Sequence, residues 1–457
     1  MDNNKVPTKP SDLNLEFFQR YVNNNISDVK VEPIVALLDS GVELENGGGF
    51  TGGNVVRVRL KYNTDNRKNN NKNNNNNNNK HVKPESVVCK LVQAIPSYYS
   101  LQVLFGVFQW QIIFRHREFK FYESLRPIVT EAGVNCPHSF LTLKGYPDDF
   151  ETSLLPSRLK LLYQKPRFEN IVVMEDPPGY KTIPSFTHVP LVYSKMALTN
   201  IARLHGHYWN ALPKDETTGK DLLSRIDDGK ANDGLTSAND GAILERLNNW
   251  VTVNQNINTW ATDDGDKVLN KLLNVISEDD ENPFRLATFK SRFINWMKDG
   301  RLCSHLLHFH NETLPDTFCH GDVHGGNHLY PEDVDNDDII LIDWQMFGIG
   351  KAVEDVVYYM MLSIESDNFE EDHVLYETYY NSLCASAKKA NNKKFDPKIF
   401  TYERFLDDIY KTICKYTIRM MSTRLRPNGM KFLMAVVPGF KMATKESTFA
   451  FLVSYCV

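Results

Sequence analysis

Polar and apolar positions alternate along N-V-V-R-V-R-L-K-Y (Asn54–Tyr62), the two-residue period of a half-buried strand. E-S-V-V-C-K-L-V (Glu85–Val92) and E-N-I-V-V-M-E-D (Glu169–Asp176) are short apolar, β-branched runs and read as further strands. The first two flank an asparagine tract, Asn63–Lys80, which carries no apolar surface to bury. The pattern predicts a hairpin whose loop holds a disordered insertion over about 63–83. Loop-closure entropy grows slowly with length, so the fold tolerates it. Upstream, Leu13, Phe17, Tyr21 and Val22 fall near helical spacing within Asp12–Asn25, and Val31–Leu44 is apolar and β-branched.

The period then changes. A helical stretch covers Leu101–Leu125, and beyond the breaker P-P-G (Pro177–Gly179) helical spacing dominates. It recurs over Leu191–Ala211, Ala242–Asn256, Asp266–Val275, Leu286–His310, Val353–Ile364, Tyr376–Ala390 and Tyr402–Ser422. The exception is H-L-Y, an acidic turn and I-I-L-I-D, which reads as a small hairpin. Strands first and helices after predict an α+β chain with two lobes. Residues 1–30 form an N-terminal extension with a helix. Residues 31–176 form a small β-rich lobe with one long helix, and 177–457 a larger helical lobe.

Composition narrows this picture without changing it. A chain of 457 residues suits two to three domains, and 42% hydrophobic with 24% charged residues is ordinary for a globular protein. A net charge of −5 gives no bulk attraction to nucleic acid or anionic lipid. Seven scattered cysteines with no C-x-x-C argue against a disulfide framework or zinc ribbon. The N-terminus lacks the apolar core of a signal peptide, and Leu101–Phe114 is too short and too polar to span a bilayer. The expectation is a soluble cytoplasmic protein with no membrane span, no nucleic acid and no implied protein partner.

The chemistry concentrates in F-C-H-G-D-V-H-G-G-N (Phe318–Asn327) and I-I-L-I-D-W-Q. D-x-x-x-x-N is the spacing of a phosphotransferase catalytic loop, in which an Asp accepts the proton of a hydroxyl and an Asn binds Mg²⁺. Asp322 and Asn327 fill those positions. A second carboxylate must hold the hard, oxygen-preferring cation, and Asp343 is available where the hairpin returns. His320 reads as a support beside the loop, and His324 as a residue near phosphates or acceptor. A competing reading takes His320, His324 and His328 as zinc ligands, but Gly321, Gly325 and Gly326 argue against the helix that would align them.

Phosphoryl transfer needs three more parts, and candidates occur in order. Gly47, Gly49 and Gly52 satisfy G-x-G-x-x-G ahead of a strand rather than a helix, which favours a phosphate-covering hairpin over a dinucleotide fold. Lys90 ends a strand where a lysine needs a partner. Glu118 and Glu123 are the candidates. Met174 would back an adenine pocket, with the Glu175 carbonyl as acceptor. The next expected amide donor falls on Pro177, which has no N–H.

R-E-F-K-F-Y-E-S-L-R-P, V-V-M-E-D, I-A-R-L-H-G-H-Y-W, C-H-G-D-V-H-G-G-N, I-D-W-Q and E-D-V-V-Y-Y together resemble the protein-kinase-like small-molecule kinases. These form the aminoglycoside phosphotransferase and choline kinase superfamily, and the closest resemblance is to its ecdysteroid kinase-like branch. The resemblance spans roughly Gly41–Met361 and implies a two-lobed protein-kinase-like fold, with ATP and Mg²⁺. It makes Glu118 the partner of Lys90, Asp322 the base, and Asn327 and Asp343 metal ligands. Asp355 is expected to brace the loop and its own helix, and His205 to be structural. Gly321 replaces the arginine of protein kinases, and no A-P-E follows, so a small hydroxylated molecule is the expected acceptor. Trp344, Gln345 and Tyr208-Trp209 are candidates to face it, or ordinary core. A catalytically silent scaffold and a protein kinase are the other readings.

Overall fold

The structure is a computed structural model that describes residues 6–7, 9–33, 53–63, 83–92, 118–144, 170–184, 187–211, 314–335, 338–364, 369–409 and 412. The chain divides into two units. The first comprises Met1–Arg126 and Cys136–Tyr180; the second comprises Pro127–Asn135 and Lys181–Val457.

The first unit is built on a five-stranded sheet. In chain order the strands are β1 (Ile26–Pro33), β2 (Gly53–Tyr62), β3 (Ser86–Val92), β4 (Ser139–Lys144) and β5 (Asn170–Glu175). Their order in the sheet is β1-β2-β3-β5-β4, and every pairing is antiparallel. The expected β2–β3 hairpin is present, with Arg59 opposite Ser86 and Val56 opposite Cys89. Its alternation decides the faces: Val56, Val58 and Leu60 are buried, while Arg59 and Lys61 meet Glu32 and Asp28 across the strand pair. Strand β1 begins at Ile26, five residues before the apolar run read from Val31, and the rest of that run lies outside the described residues. Helix α1 (Leu15–Tyr21) starts at Asn14, whose side chain accepts the Phe17 N–H. It buries Phe17 and Phe18 in one core with Val6, Leu13, Ile26, Val58, Val87 and Val173, so the described part of residues 1–30 is built into this unit. The helix expected to end at Leu125 instead passes through a π turn (Phe121–Leu125) into α2 (Arg126–Glu131).

The second unit is mainly helical: α3 (Leu191–Tyr208), α4 (Ala352–Ser363), α5 (Phe369–Lys389) and a helix over 402–409. Helix α5 starts seven residues ahead of the expected Tyr376. Helices α3 and α5 approach closely at Gly206, where a Cβ would meet the Leu383 carbonyl oxygen at 2.5 Å. Tyr193, Ile201, Val356, Tyr359 and Tyr379 belong to the core. Short strands carry the candidate loop. Strand β7 (Asp316–Cys319) pairs antiparallel with β10 (Gly348–Lys351), and β6 (Tyr180–Thr182), β8 (His328–Pro331) and β9 (Ile340–Leu341) form a small sheet. The insertion over 63–83 and the helices expected at Ala242–Asn256, Asp266–Val275 and Leu286–His310 lie outside the described residues, apart from the ends of that insertion. Among the described residues no helix is long and apolar enough to cross a membrane.

Candidate active site

In the first unit the strand period places Lys90. Cys89 and Leu91 point into the core, so Lys90 projects from the opposite face of β3, with Val55 and Val172 as its strand neighbours. Its Nζ lies 2.7 Å from Glu118 Oε2, and both side chains are nearly buried, at 12% and 5% exposure. Burial in this setting demands a partner of opposite charge. Glu123, the other candidate, is 41% exposed and pairs with Lys120 at 3.1 Å. Met174 is buried, and Glu175 is exposed with its N–H donated to the His138 carbonyl. The sequence reading passed over Asp176. Its carboxylate accepts two bonds from Arg57 (2.6 and 2.9 Å) and one from Ser86 Oγ (2.6 Å), fixing the end of β5 to β2 and β3. An exposed-looking acid just before P-P-G gave no signal of that role. Gly47, Gly49 and Gly52 lie outside the described residues.

In the second unit the loop leaves β7 at Cys319 and is held from behind by α4. Asp355 Oδ2 accepts the His320 N–H at 2.8 Å, and its Oδ1 accepts the Gly321 N–H at 3.0 Å. Gly321 has φ +84°, a left-handed conformation that glycine adopts without strain. Burial raises the Asp355 carboxyl, but the hydrogen bond from His205, the electrostatic influence of the His205 and His320 imidazoles and the His320 backbone N–H together bring it below its ordinary value. Asp355 is fully buried, so its task is to hold backbone.

His320 ties two stretches together. Its Nε2 donates to the Ile342 carbonyl at 2.9 Å, and its Nδ1 accepts the Asp322 N–H at 3.3 Å. Burial outweighs the neighbouring carboxylates of Asp355 and Asp322 and keeps this imidazole below its usual pKa, in line with a neutral ring that donates once and accepts once. Its ring packs on Trp344 at 4.6 Å.

Asn327 and Asp343 meet through the β8–β9 hairpin. His328 pairs with Leu341, so Asn327, just before β8, faces Ile342, just after β9. The Ile342 N–H donates to the Asn327 carbonyl at 2.9 Å. The Asn327 amide nitrogen donates to the Asp322 carbonyl at 2.8 Å and reaches its Oδ2 at 3.4 Å. Asp343 sits at φ +62°, ψ +60°, a left-handed position, and receives the Gln345 amide at 3.3 Å. Asp322, Asn327 and Asp343 are thus brought together. Asp322 and Asp343 are partly exposed and Asn327 is buried.

The other candidates divide differently. His324 caps the short 3₁₀ turn Gly325–Asn327, accepting the Gly326 N–H at 3.1 Å. Ser363, which the sequence reading missed, accepts the Gly325 N–H at 2.8 Å, and a Cβ at Gly325 would meet Val189 Cγ2 at 2.5 Å. Trp344 is fully buried against His320 and Phe318, with Nε1 donating to the Leu341 carbonyl. Tyr208 donates to the Ile128 carbonyl, and Trp209 packs on Phe395 and Phe400. These rings are core. The zinc reading of His320, His324 and His328 does not hold. His320 uses both ring nitrogens, on the Ile342 carbonyl and the Asp322 N–H, and His328 Nδ1 donates to the His324 carbonyl. Among the described residues the grouping with ligand atoms within 4.8 Å of one another is His205, Cys319 and Asp355.

Choline kinase from Cryptosporidium parvum superposes with a TM-score of 0.44 at 10% identity, covering 97% of this chain and 96% of that one. Plasmodium vivax ethanolamine kinase gives 0.43 at 11% identity, covering 95% and 87%. Macrolide 2'-phosphotransferase from Brachybacterium faecium gives 0.36 at 11%, covering 93% and 97%. No curated relative matches the chain significantly. The model of the ecdysteroid kinase-like family, by contrast, matches residues 48–392, well over half of the chain and a span that includes Lys90, Glu118, Asp322, Asn327, Asp343 and Asp355. The protein therefore belongs to the ecdysteroid kinase-like family.

Proposed function

We propose that this protein is an ATP-dependent phosphotransferase that moves the γ-phosphoryl group to a hydroxyl of a small molecule. The observation that carries the reading is that Asn327 hydrogen-bonds Asp322, while the β8–β9 hairpin sets Asn327 against Ile342, the residue next to Asp343. Asp322 orients the acceptor hydroxyl and takes its proton. Asn327 and Asp343 would hold Mg²⁺. The donor set fits a hard cation, because the amide nitrogen of Asn327 is turned to Asp322 and its oxygen is the atom left for a metal. When bound, the ion supplies charge neutralisation on the phosphates. Lys90, held by Glu118, takes the α- and β-phosphates. Positioning and electrostatics supply most of the rate in such chemistry.

The test pairs binding with turnover. Wild-type protein incubated with Mg-ATP and a pooled metabolite extract yields a new phosphomonoester. Asp322→Asn retains Mg-ATP protection against thermal unfolding but loses about 100- to 10,000-fold in turnover. Unchanged turnover would remove Asp322 as the base. Nucleotide protection without transfer to any pooled acceptor favours the silent-scaffold reading.

A further inference from the structure

Behind the loop lies a buried polar chain that ends in Tyr379, a residue with no place in the site above. We infer that Tyr379 is a positioning residue for the Asp322 loop, acting through His205 and Asp355. The inference rests on the proposed role of Asp322 as the base.

Three helices bring the chain together. Tyr379 on α5 places its hydroxyl 2.7 Å from His205 Nδ1 on α3. His205 Nε2 lies 3.3 Å from Asp355 Oδ2 on α4, and Asp355 grips the His320 and Gly321 N–H groups. Tyr379, His205, Asp355 and His320 are all 0% exposed. Water cannot substitute for a missing partner there without entering the core.

The chemistry of each group fixes the direction of the hydrogen bonds. A carboxylate only accepts, so His205 Nε2 carries the proton. When the ring carries only that proton, Nδ1 is left as an acceptor and the Tyr379 hydroxyl donates to it. Burial, with the Asp355 carboxylate nearby, raises the Tyr379 phenol well above its ordinary pKa and keeps the donor proton in place. Cys319 stands beside this chain, but burial raises its thiol as well, and both Asp355 oxygens already accept N–H groups. The cluster is closed as a hydrogen-bonded chain rather than a metal cage. By donating to Nδ1, Tyr379 reinforces the His205 tautomer that points N–H at Asp355. The alternative tautomer would set a bare nitrogen lone pair against the carboxylate and loosen its hold on the backbone that leads into Asp322.

Tyr379→Phe isolates this role. The ring stays stacked on Phe405, 5.4 Å between centroids, while the hydroxyl is lost. Three readouts use the full chain. Long-range ¹H–¹⁵N correlation on ¹⁵N-histidine-labelled wild type shows His205 as the Nε2–H tautomer. Amide exchange at His320 and Gly321 becomes about tenfold faster in the variant, with the β2–β3 amides unchanged. Turnover of Mg-ATP falls several-fold with its KM unaltered. An Nδ1–H tautomer in the wild type, unchanged exchange at both amides, or one equivalent of zinc copurifying with the cluster overturns the inference. The spectral and exchange readouts need no activity. A protein that passes them but transfers no phosphate refutes the kinase reading and leaves the relay standing.

Discussion

The two units hold their candidate site residues by different means. In the first, Lys90 and Glu118 satisfy each other in one direct ion pair at 2.7 Å on the face of a sheet. In the second, the important object is a stretch of backbone. His320 and Gly321 are held by Asp355, Asp322 by His320, and Asn327 and Asp343 by a hairpin. A pair of side chains can be replaced together. Buried N–H groups cannot be removed, so the residue that accepts from them has no substitute. That difference predicts how each unit responds to mutation.

The largest effect is expected at Asp355. Asp355→Ala leaves the His320 and Gly321 N–H groups and His205 Nε2 facing no acceptor in a core closed to water. Each orphaned donor costs about 1–3 kcal/mol, and the loss of the whole set should reach about 3–5 kcal/mol. Urea unfolding followed by circular dichroism measures it. A loss below about 1 kcal/mol would mean that the loop is held by something else and would erase the contrast between the units.

Acid should expose the same unit next. His328 is fully buried, and burial takes its pKa from 6.5 to about 3. Below pH 6.5 the unfolded chain binds a proton there that the folded chain refuses, so stability present at neutral pH is lost as pH falls toward 3. The slope is at most about 1.4 kcal/mol per pH unit for one group. His320 is shifted in the same direction, again through burial. His328→Gln should be less stable at pH 7 yet lose less on going to pH 4. Parallel stability curves for wild type and variant would show that His328 does not titrate on unfolding.

Much of this was legible in the sequence, and the parts that were not share a cause. The β2–β3 hairpin, Lys90, and the Asp322, Asn327 and Asp343 set announce themselves by local period and spacing. Strand β1 did not, because I-S-D-V-K-V-E pairs its charges across the sheet with Arg59 and Lys61 and reads as a polar loop in isolation. Asp176, Ser363 and Tyr379 were missed for a related reason. Each acts on a partner distant in the chain: Arg57, Gly325 and His205. No periodicity encodes such a pairing. Trp344 shows a different limit of local reading. Its position beside Asp343 allowed two readings, facing the acceptor or ordinary core, and its indole packs in the core under His320.

The ion pair of the first unit should behave as a replaceable object. Lys90→Met strands the Glu118 carboxylate in a nearly buried place and should cost about 1–3 kcal/mol, partly relieved when that carboxyl takes up a proton. Adding Glu118→Leu should recover most of the loss, because a buried ion pair exchanged for apolar groups of similar volume is often neutral. Both variants should lose Mg-ATP protection. A double variant less stable than Lys90→Met alone would show that the pair is embedded in a wider network, as Asp355 is, and the proposed difference between the units would disappear.

The smallest effect separates two glutamates on one short stretch. Glu118 and Glu123 are both within reach of a lysine, and only burial distinguishes what each pairing is worth. Lys120–Glu123 is an (i, i+3) contact with the acid 41% exposed, where water competes for both charges and side-chain entropy offsets the gain. Glu123→Ala should change stability by less than about 0.5 kcal/mol and leave Mg-ATP protection intact. Glu118→Ala should abolish that protection, because Lys90 loses the group that fixes it. The two variants sit on the same segment, so a general loosening of the helix would affect both alike. Equal nucleotide protection in the two would mean that the Lys90–Glu118 contact does not position the lysine. Loss in Glu123→Ala alone would reverse the assignment.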